Sequence, residues 1–224
     1  MGKKLLITID GPAGSGKSTV SKVLSQKLSY LYLDTGALYR AIAYKIMNEK
    51  RNPDDMQSMR DLANSLDLHL EAGHGALKVI LDNADITDQL RTEEMGFLAS
   101  RISSLPLIRE ALLPIQRKFE KCGGIVAEGR DMGTVIFPHA DLKFFLSATV
   151  STRARRRHRE LVEAGISSDL EVIKNKMVLR DRQDSDRSIA PLKIPTDAMV
   201  IDSTALSLQE VVSVMMNAIN AVIP

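Results

Sequence analysis

The chain has 224 residues, enough for one sizeable domain or for a core domain with an insertion, and its 44% hydrophobic and 26% charged residues are typical of globular proteins. Its 30 basic and 28 acidic residues leave a formal net charge of only +2, whereas a dedicated nucleic-acid-binding protein usually carries a domain-wide basic excess. A single cysteine excludes an intramolecular disulfide.

Five short apolar runs predict buried strands, and each is separated from the next by a helical pattern. In chain order the runs are KKLLITID (3–10), YLYLD (30–34), GIVAE (124–128), LKFFLSA (142–148) and AMVID (198–202). The spacing of apolar residues predicts helices over 17–28 and 36–50. Strands that alternate with helices favour an α/β fold of three layers, so we predict a five-stranded parallel sheet with helices on both faces.

The first of these runs also bears on localisation. Thr8 interrupts its apolar residues and Asp10 ends them. The run is therefore too short for a signal peptide or a membrane span, and we expect a cytoplasmic protein that does not contact membranes.

The alternation of strand and helix breaks down between the second and third predicted strands. Residues 67–91 contain alternating apolar residues around two glycines and then an Asp-Asn pair, which predicts a small antiparallel hairpin or meander. Residues 92–121 predict two helices, with Pro106 at the start of the second and Pro114 kinking it. We interpret the antiparallel segment as an insertion into the core.

The segment GPAGSGKST fits the phosphate-binding pattern G-x-x-x-x-G-K-[ST] and lies between a predicted buried strand and a helix. Its glycines let backbone N–H groups turn toward one anion, and the helix N-terminus adds partial positive charge. Lys17 would reach the β- and γ-phosphates of ATP, and the Ser18 hydroxyl would bind Mg²⁺. The predicted ATP-binding residues of this P-loop are Gly11, Pro12, Ala13, Gly14, Ser15, Gly16, Lys17, Ser18 and Thr19. A guanine-reading N/T-K-x-D segment is absent from the sequence, which disfavours a GTPase.

Three further segments place charged residues after predicted strands or along one helical face. They are DTGALYR (34–40), EGRDMGT (128–134) and RDRQDSDR (180–187), with the candidate residues Arg40, Arg130, Asp131, Arg180, Asp184 and Arg187. The first two lie at the sheet edge where open α/β folds bind ligands, and the third repeats charges at i, i+4 and i+7. Taken singly, such charges are most often solvated. Together with a P-loop, they predict a second anion site.

These motifs, in this order, resemble the bacterial-type cytidylate kinases, which are nucleoside monophosphate kinases with a P-loop. The matching segments span essentially the whole chain and are IDGPAGSGKST, LDTGALYR, REALLPIQRKF, EGRDMGTVIFP, RDRQDSDRSIAPL and IDSTALS. The resemblance implies ATP-dependent phosphorylation of CMP, and of dCMP, to the diphosphate by direct in-line transfer from Mg-ATP. It also implies that the inserted segment enlarges the monophosphate-binding region.

The resemblance further implies individual contacts to the acceptor nucleotide. These contacts are Arg40, Arg130 and Thr35 for the CMP phosphate, Ser100, Arg109 and Asp131 for the cytosine, Arg180 and Asp184 for the ribose, and Arg187 near the transferring phosphates. The family more often has Ser in place of Thr35, and either residue offers a hydroxyl. The family often has Asp in place of Glu128. The position of the longer Glu128 side chain relative to Mg²⁺ is therefore left open.

The chemistry of cytosine supports the base-reading assignment independently. Its pairing edge offers an N4 amine donor and acceptors at N3 and O2, so Asp131 can accept from N4 while Arg109 donates to N3 and O2. Uracil reverses two of these three groups. A buried site of this kind can reject such an analogue by ~10⁴-fold, so we expect strong preference for CMP over UMP.

The segment STRARRRHRE (151–160) holds five arginines in ten positions. Contact with nucleic acid and a solvated helix face are two explanations for them. Because phosphoryl transfer depends on charge stabilisation, we favour a helical lid over 150–165, with Arg153 and Arg157 facing the ATP phosphates and Gly165 ending the helix. The predicted catalytic residues are then Lys17, Arg130, Arg157 and Arg187.

We predict a single domain over residues 1–224. Its core comprises about 1–60, 105–148 and 190–224, its monophosphate-binding insertion about 61–104 and its lid about 149–189. A P-loop kinase for UMP, AMP or shikimate, and a non-catalytic ATP-binding or nucleic-acid-binding module, are the alternatives. The sequence does not select the donor nucleotide, and we expect a monomer whose partners are small nucleotides, with no nucleic acid among them.

Overall fold

A five-stranded sheet forms the centre of the structure, a computed structural model that describes residues 4–72, 77–120 and 123–222. The strands are β1 Leu6–Asp10, β2 Leu31–Asp34, β3 Leu68–Ala72, β4 Leu77–Leu81, β5 Ala84–Asp85, β6 Ile125–Gly129, β7 Leu142–Ser147 and β8 Met199–Asp202. The helices are α1 Lys17–Leu28, α2 Thr35–Asn48, α3 Met56–Asn64, α4 Glu93–Ile102, α5 Pro106–Arg117, α6 Val150–Glu163, α7 Leu170–Asp186 and α8 Leu208–Asn220. The main sheet has the order β2-β6-β1-β7-β8 with all neighbours parallel, which confirms the predicted α/β fold.

The three central strands of the sheet, β6, β1 and β7, are buried on both faces, and successive residues of β1 and β6 enter different apolar clusters. In β1, Ile7 and Ile9 pack with residues of α1 and α8, whereas Leu6 packs on the other face with Ile125 and Phe137. This burial explains why the core strands read as continuous apolar runs in the sequence.

The inserted segment forms a second, antiparallel sheet of order β3-β4-β5, as predicted. Asp82 and Asn83, which join β4 to β5, both have positive φ (49° and 63°), as a two-residue turn between twisted strands requires. The two glycines of the preceding turn lie outside the described residues. Lys45 of α2 contacts Asp82 and so ties this small sheet to the core.

The helices flanking the insertion and the arginine-rich segment also follow the sequence pattern. Pro106 is the first residue of α5, as predicted, and Pro114 lies within that helix without ending it, so that the kink stays a prediction. Helix α6 ends at Glu163. The N–H of Gly165 (φ 74°) then donates to the carbonyl of Val162 at 3.0 Å, which confirms the predicted helix end.

Helices α6 and α7 share a small apolar core of their own, formed by Ala154, Leu161, Ile173 and Met177. A segment with its own core can move as a unit, and we keep the division into core, insertion and lid as a proposal. Among the described helices, none combines the length and the apolar character needed to cross a bilayer.

Candidate active site

The P-loop joins β1 to α1 at the carboxyl edge of the main sheet. Gly11 has φ 148°, and a Cβ at this position would lie 2.1 Å from the carbonyl oxygen of Leu146, so that the close approach of the loop to β7 requires glycine. Lys17 is buried, and its Nζ donates to the carbonyl of Pro12 at 2.7 Å and to Ser15 Oγ at 3.3 Å. The lysine thus folds back over the loop that is predicted to hold phosphates.

The environment of Lys17 disfavours its charged form. Burial, followed by the nearby positive charge of Arg130, lowers the pKa of Lys17 to about 7. A bound polyphosphate would counter this effect, because it places negative charge beside the amine.

We therefore expect the binding of ADP at pH 8 to be accompanied by the uptake of about one proton by the protein. The affinity for ADP should fall as the pH rises above 7. Above its lowered pKa, Lys17 is neutral in the free protein and regains its proton in the complex. Calorimetric titrations at pH 8 in two buffers of different ionisation enthalpy measure this uptake, and Lys17→Met should abolish it. Binding by the unmodified protein without proton uptake at pH 8 would contradict the assignment.

Two cavities open at the carboxyl ends of the strands and meet at the P-loop. The smaller, of about 220 Å³, is lined by all nine predicted acceptor-site residues, which are Thr35, Arg40, Ser100, Arg109, Arg130, Asp131, Arg180, Asp184 and Arg187. The larger, of about 990 Å³, is lined by P-loop residues 13–19 and by Arg157. Lys17 and Ser18 line both cavities, so the two meet where a phosphoryl group would pass between nucleotides.

Asp131 lies between two arginines at one end of the smaller cavity. It forms an ion pair with Arg109, and Arg187 Nη2 lies 3.9 Å from its other oxygen. Ser103 connects the two arginines, since its carbonyl accepts from Arg109 at 3.2 Å and its hydroxyl from Arg187 at 2.8 Å. The Arg109 guanidinium also lies 5.8 Å from the centre of the Tyr39 ring. Arg187 therefore belongs to the group around Asp131, which differs from its expected place near the transferring phosphates.

Asp184 connects α4 of the insertion to Arg130, the residue that directly follows β6. Its carboxylate accepts from Ser100 Oγ at 2.7 Å and from Arg130 Nε at 2.8 Å. These contacts bring together residues that the sequence separates by up to 84 positions. Thr35 completes this side of the cavity, and its hydroxyl donates to the carbonyl of Glu128 at 2.7 Å.

The arginines of the smaller cavity are only partly neutralised by the protein. Arg40 donates to Asp34 at 2.6 Å, but its Nε, together with Arg180 Nε and Arg187 Nη2, is buried without a hydrogen-bond partner among the described residues. Burial and the charge of Arg130 lower the pKa of Arg180 to about 10. A bound anion would accept hydrogen bonds from these unpartnered donors and would offset the positive charges crowded around them.

The two lid arginines predicted to reach ATP have different environments. Arg153 is buried and donates to the Ala13 carbonyl at 3.0 Å while it pairs with Asp181 at 2.6 Å. Arg157 is half-exposed, donates to Glu160 at 3.0 Å and lies 3.6 Å from Glu93 across the larger cavity. Their phosphate contacts therefore remain predictions, with Arg157 the more accessible of the two.

Several residues of the site were missed by sequence reasoning. Arg156, one of the five arginines that the sequence analysis left without an individual role, donates to the carbonyls of Ser15 at 3.3 Å and Ser203 at 2.6 Å. Asp10 is fully buried and accepts from the backbone N–H groups of residues 132 and 133 at 2.9 and 2.8 Å, holding the π-helical turn that follows Asp131. Its burial raises its pKa to about 6. A carboxylate at the end of a buried strand is a signal that could have identified it.

Comparison with known proteins agrees with this geometry. The sequence matches the family model described as cytidylate kinase over residues 7–221. It is 42% identical over 220 residues to a cytidylate kinase of Geobacillus sp. (strain WCH70), with 98% of both chains covered, and 44% identical over 211 residues to one of Geobacter sp. (strain M21), with 94% of this chain and 91% of that relative covered. An uncharacterised protein from Eubacterium ventriosum ATCC 27560 has the same fold, with a TM-score of 0.54, 13% identity and coverage of 98% and 99%. The chain belongs to the cytidylate kinase family.

Proposed function

We propose that this chain transfers the terminal phosphoryl group of ATP to the phosphate of CMP, giving CDP and ADP, and that it also accepts dCMP. Its family membership supports ATP as a substrate and CMP as the acceptor. The observation that carries the proposal is the meeting of two cavities at Lys17 and Ser18, one lined by the P-loop and the other by the charged pair Arg109 and Asp131.

The acceptor cavity offers a group for each part of CMP. Asp131 accepts from cytosine N4 and Arg109 donates to N3 and O2, and the position of Arg187 beside Asp131 supports placing it on the base side as well. The other residues of this cavity contact the remaining parts of CMP. The phosphate is bound by Arg40, Arg130 and Thr35, the base also by Ser100, and the ribose by Arg180 and Asp184.

The donor cavity offers backbone N–H groups, Lys17 and the lid arginines for the ATP phosphates. Two oxygen ligands chemically suited to Mg²⁺ stand at the junction, the Ser18 hydroxyl and the buried Glu128 carboxylate, with Asp34 beside them. Mg²⁺ needs few protein ligands when phosphates and water complete its shell, so this donor set fits the ion. Bound there, Mg²⁺ would neutralise charge on the β- and γ-phosphates.

In-line transfer then needs little covalent chemistry from the protein. Lys17 and Arg130 would stabilise charge on the moving phosphoryl group, since Lys17 lines both cavities and Arg130 lines the acceptor cavity close enough for its charge to act on Lys17. Arg157 would add charge from the lid when the lid closes over ATP and excludes water. We further propose a cytoplasmic monomer whose partners are these nucleotides, with no nucleic acid among them.

Arg157→Ala is expected to lower kcat by about 10²-fold with little effect on Tm. Its ion pairs are half-exposed and contribute at most about 1 kcal/mol to the free energy of unfolding. Arg155→Ala is the matched control, because Arg155 is exposed on the same helix and donates to the carbonyl of Ser151. Full activity in the Arg157 variant would indicate a merely solvated helix face.

The proposed reaction is tested by incubating the protein with ATP labelled at its γ-phosphate and with CMP, dCMP, UMP, AMP, GMP or shikimate in turn. We expect label in CDP and dCDP with little release of inorganic phosphate. If another acceptor received most of the label, the protein would still be a P-loop kinase, but the assignment of cytosine as the recognised base would be overturned. A lack of transfer to all six acceptors would favour a non-catalytic binding module, including one for nucleic acid.

A further inference from the structure

Tyr32 and Glu128 lie on neighbouring strands and line the two cavities that meet at the P-loop. Strands β2 and β6 pair in parallel, with Tyr32 opposite Val126 and Asp34 opposite Glu128. The Tyr32 hydroxyl donates to Glu128 Oε1, and both residues are buried, with 6% and 3% of their surface exposed. The roles assigned above to acceptor and donor residues do not use this tyrosine.

This pair adjoins the P-loop hydroxyl that is expected to contact the cation. Ser18 lines the smaller cavity together with Glu128 and the larger cavity together with Tyr32. Asp34, the residue paired with Glu128 across the two strands, brings a second carboxylate to the same edge of the sheet, so the orientation of the Glu128 side chain decides which of its oxygens faces the cavity. Lys22 Nζ lies 5.8 Å from the centre of the Tyr32 ring, a distance at which the cation is attracted to the ring face.

We propose that Tyr32 is the positioning residue for the divalent cation of the donor nucleotide, acting through Glu128. Its hydroxyl fixes one oxygen of a long, otherwise rotatable side chain and so holds the carboxylate near Ser18, where it would act on the cation directly or through a bound water. Partners of this outer kind orient the groups that touch a metal, and their loss typically lowers metal affinity by 10–100-fold. The inference rests on the proposed nucleotide occupancy of the P-loop but not on the identity of the acceptor.

Tyr32→Phe tests the role, because it removes the hydroxyl and keeps the buried ring. The measurement is the Kd of ADP by calorimetry, once with excess Mg²⁺ and once with a chelator. We expect the gain in affinity that Mg²⁺ confers to fall by about tenfold or more, while Mg²⁺-free binding stays unchanged. An unchanged gain would overturn the proposal, and so would an equal loss with and without Mg²⁺, which would indicate a general distortion of the P-loop.

Tyr30→Phe is the matched control, since it removes a hydroxyl from the same segment, one that accepts from the N–H of Leu5 at 3.0 Å away from the site. This variant should bind ADP as the unmodified protein does under both conditions. If both variants lost the Mg²⁺-dependent gain equally, the loss would be structural and the role of Tyr32 would be rejected.

Glu128→Gln provides a second, independent test that does not depend on the folding of the Tyr32 variant. It should lose the same Mg²⁺-dependent gain in ADP affinity. Adding Tyr32→Phe to it should cause no further loss, because both changes disrupt the same interaction with the cation. Retention of the gain in Glu128→Gln, or additive losses in the double variant, would overturn the proposal. The assay uses neither CMP nor turnover, so a failure of the proposed phosphorylation would show separately.

Discussion

Lys17→Met is expected to lower kcat/KM by about 10³-fold while leaving Tm unchanged or raised. The activity should fall because the amine lies where the two cavities meet, and there its charge would act on the transferred phosphoryl group. The stability should not fall, because Lys17 is a buried cation whose pKa is lowered to about 7 by burial and by Arg130. Methionine keeps most of the apolar volume without the charge. Steady-state kinetics and thermal melts check both halves of this result.

The same substitution at Lys27 is the control for this experiment. Lys27 is exposed in the last turn of the same helix, so Lys27→Met should change neither kcat/KM nor Tm noticeably. A Lys17 variant that keeps its activity within a factor of ten would place the phosphates elsewhere. A large loss of Tm would show that the lysine serves the fold and not the reaction.

Asp131→Asn is expected to lower kcat/KM for CMP by about 10²-fold and to reduce the preference for CMP over UMP by at least about tenfold. The carboxylate is buried between Arg109 and Arg187, so it can accept from an amine but is repelled by a carbonyl oxygen. An amide at this position can donate to O4 of uracil, which removes the main reason for its rejection. The measurement is kcat/KM for each acceptor at saturating Mg-ATP.

Asp197→Asn is a suitable control for the loss of a carboxylate. Asp197 accepts from Lys143 at 2.8 Å and is largely exposed, away from the residues that line the acceptor cavity. This variant should keep the ratio of CMP to UMP turnover. If the Asp131 variant also kept the ratio, the cytosine would be read by other groups, and the role given to Arg109 would have to be revised.

The sequence predicts the core of this fold well because the three central strands, β6, β1 and β7, are buried on both faces. Runs such as those ending at Asp10 and Asp34 contain few polar residues, and the helices between them keep a regular apolar spacing. The P-loop and the left-handed turn at Asp82 and Asn83 also follow from local backbone chemistry. In each case the signal lies in a few adjacent residues.

The side-chain partners within the site are harder to predict, because they depend on contacts between distant segments. Arg187 lies 56 positions from Asp131, and its guanidinium, which also donates to Ser103, meets this carboxylate where the end of α7 packs near α4. Arg153 is one turn from Arg157 in α6, yet it is buried against Ala13 instead of facing an open cavity. The resemblance to a family identified which residues belong to the site, and the fold shows which of them touch.

The most direct test of the account is the ratio of kcat/KM for CMP to that for UMP, measured on the unmodified protein with saturating Mg-ATP. The pair Arg109 and Asp131, buried at the end of the acceptor cavity, predicts a ratio of ~10³ or more in favour of CMP. A ratio near one would contradict the assignment of this pair as the cytosine-reading group.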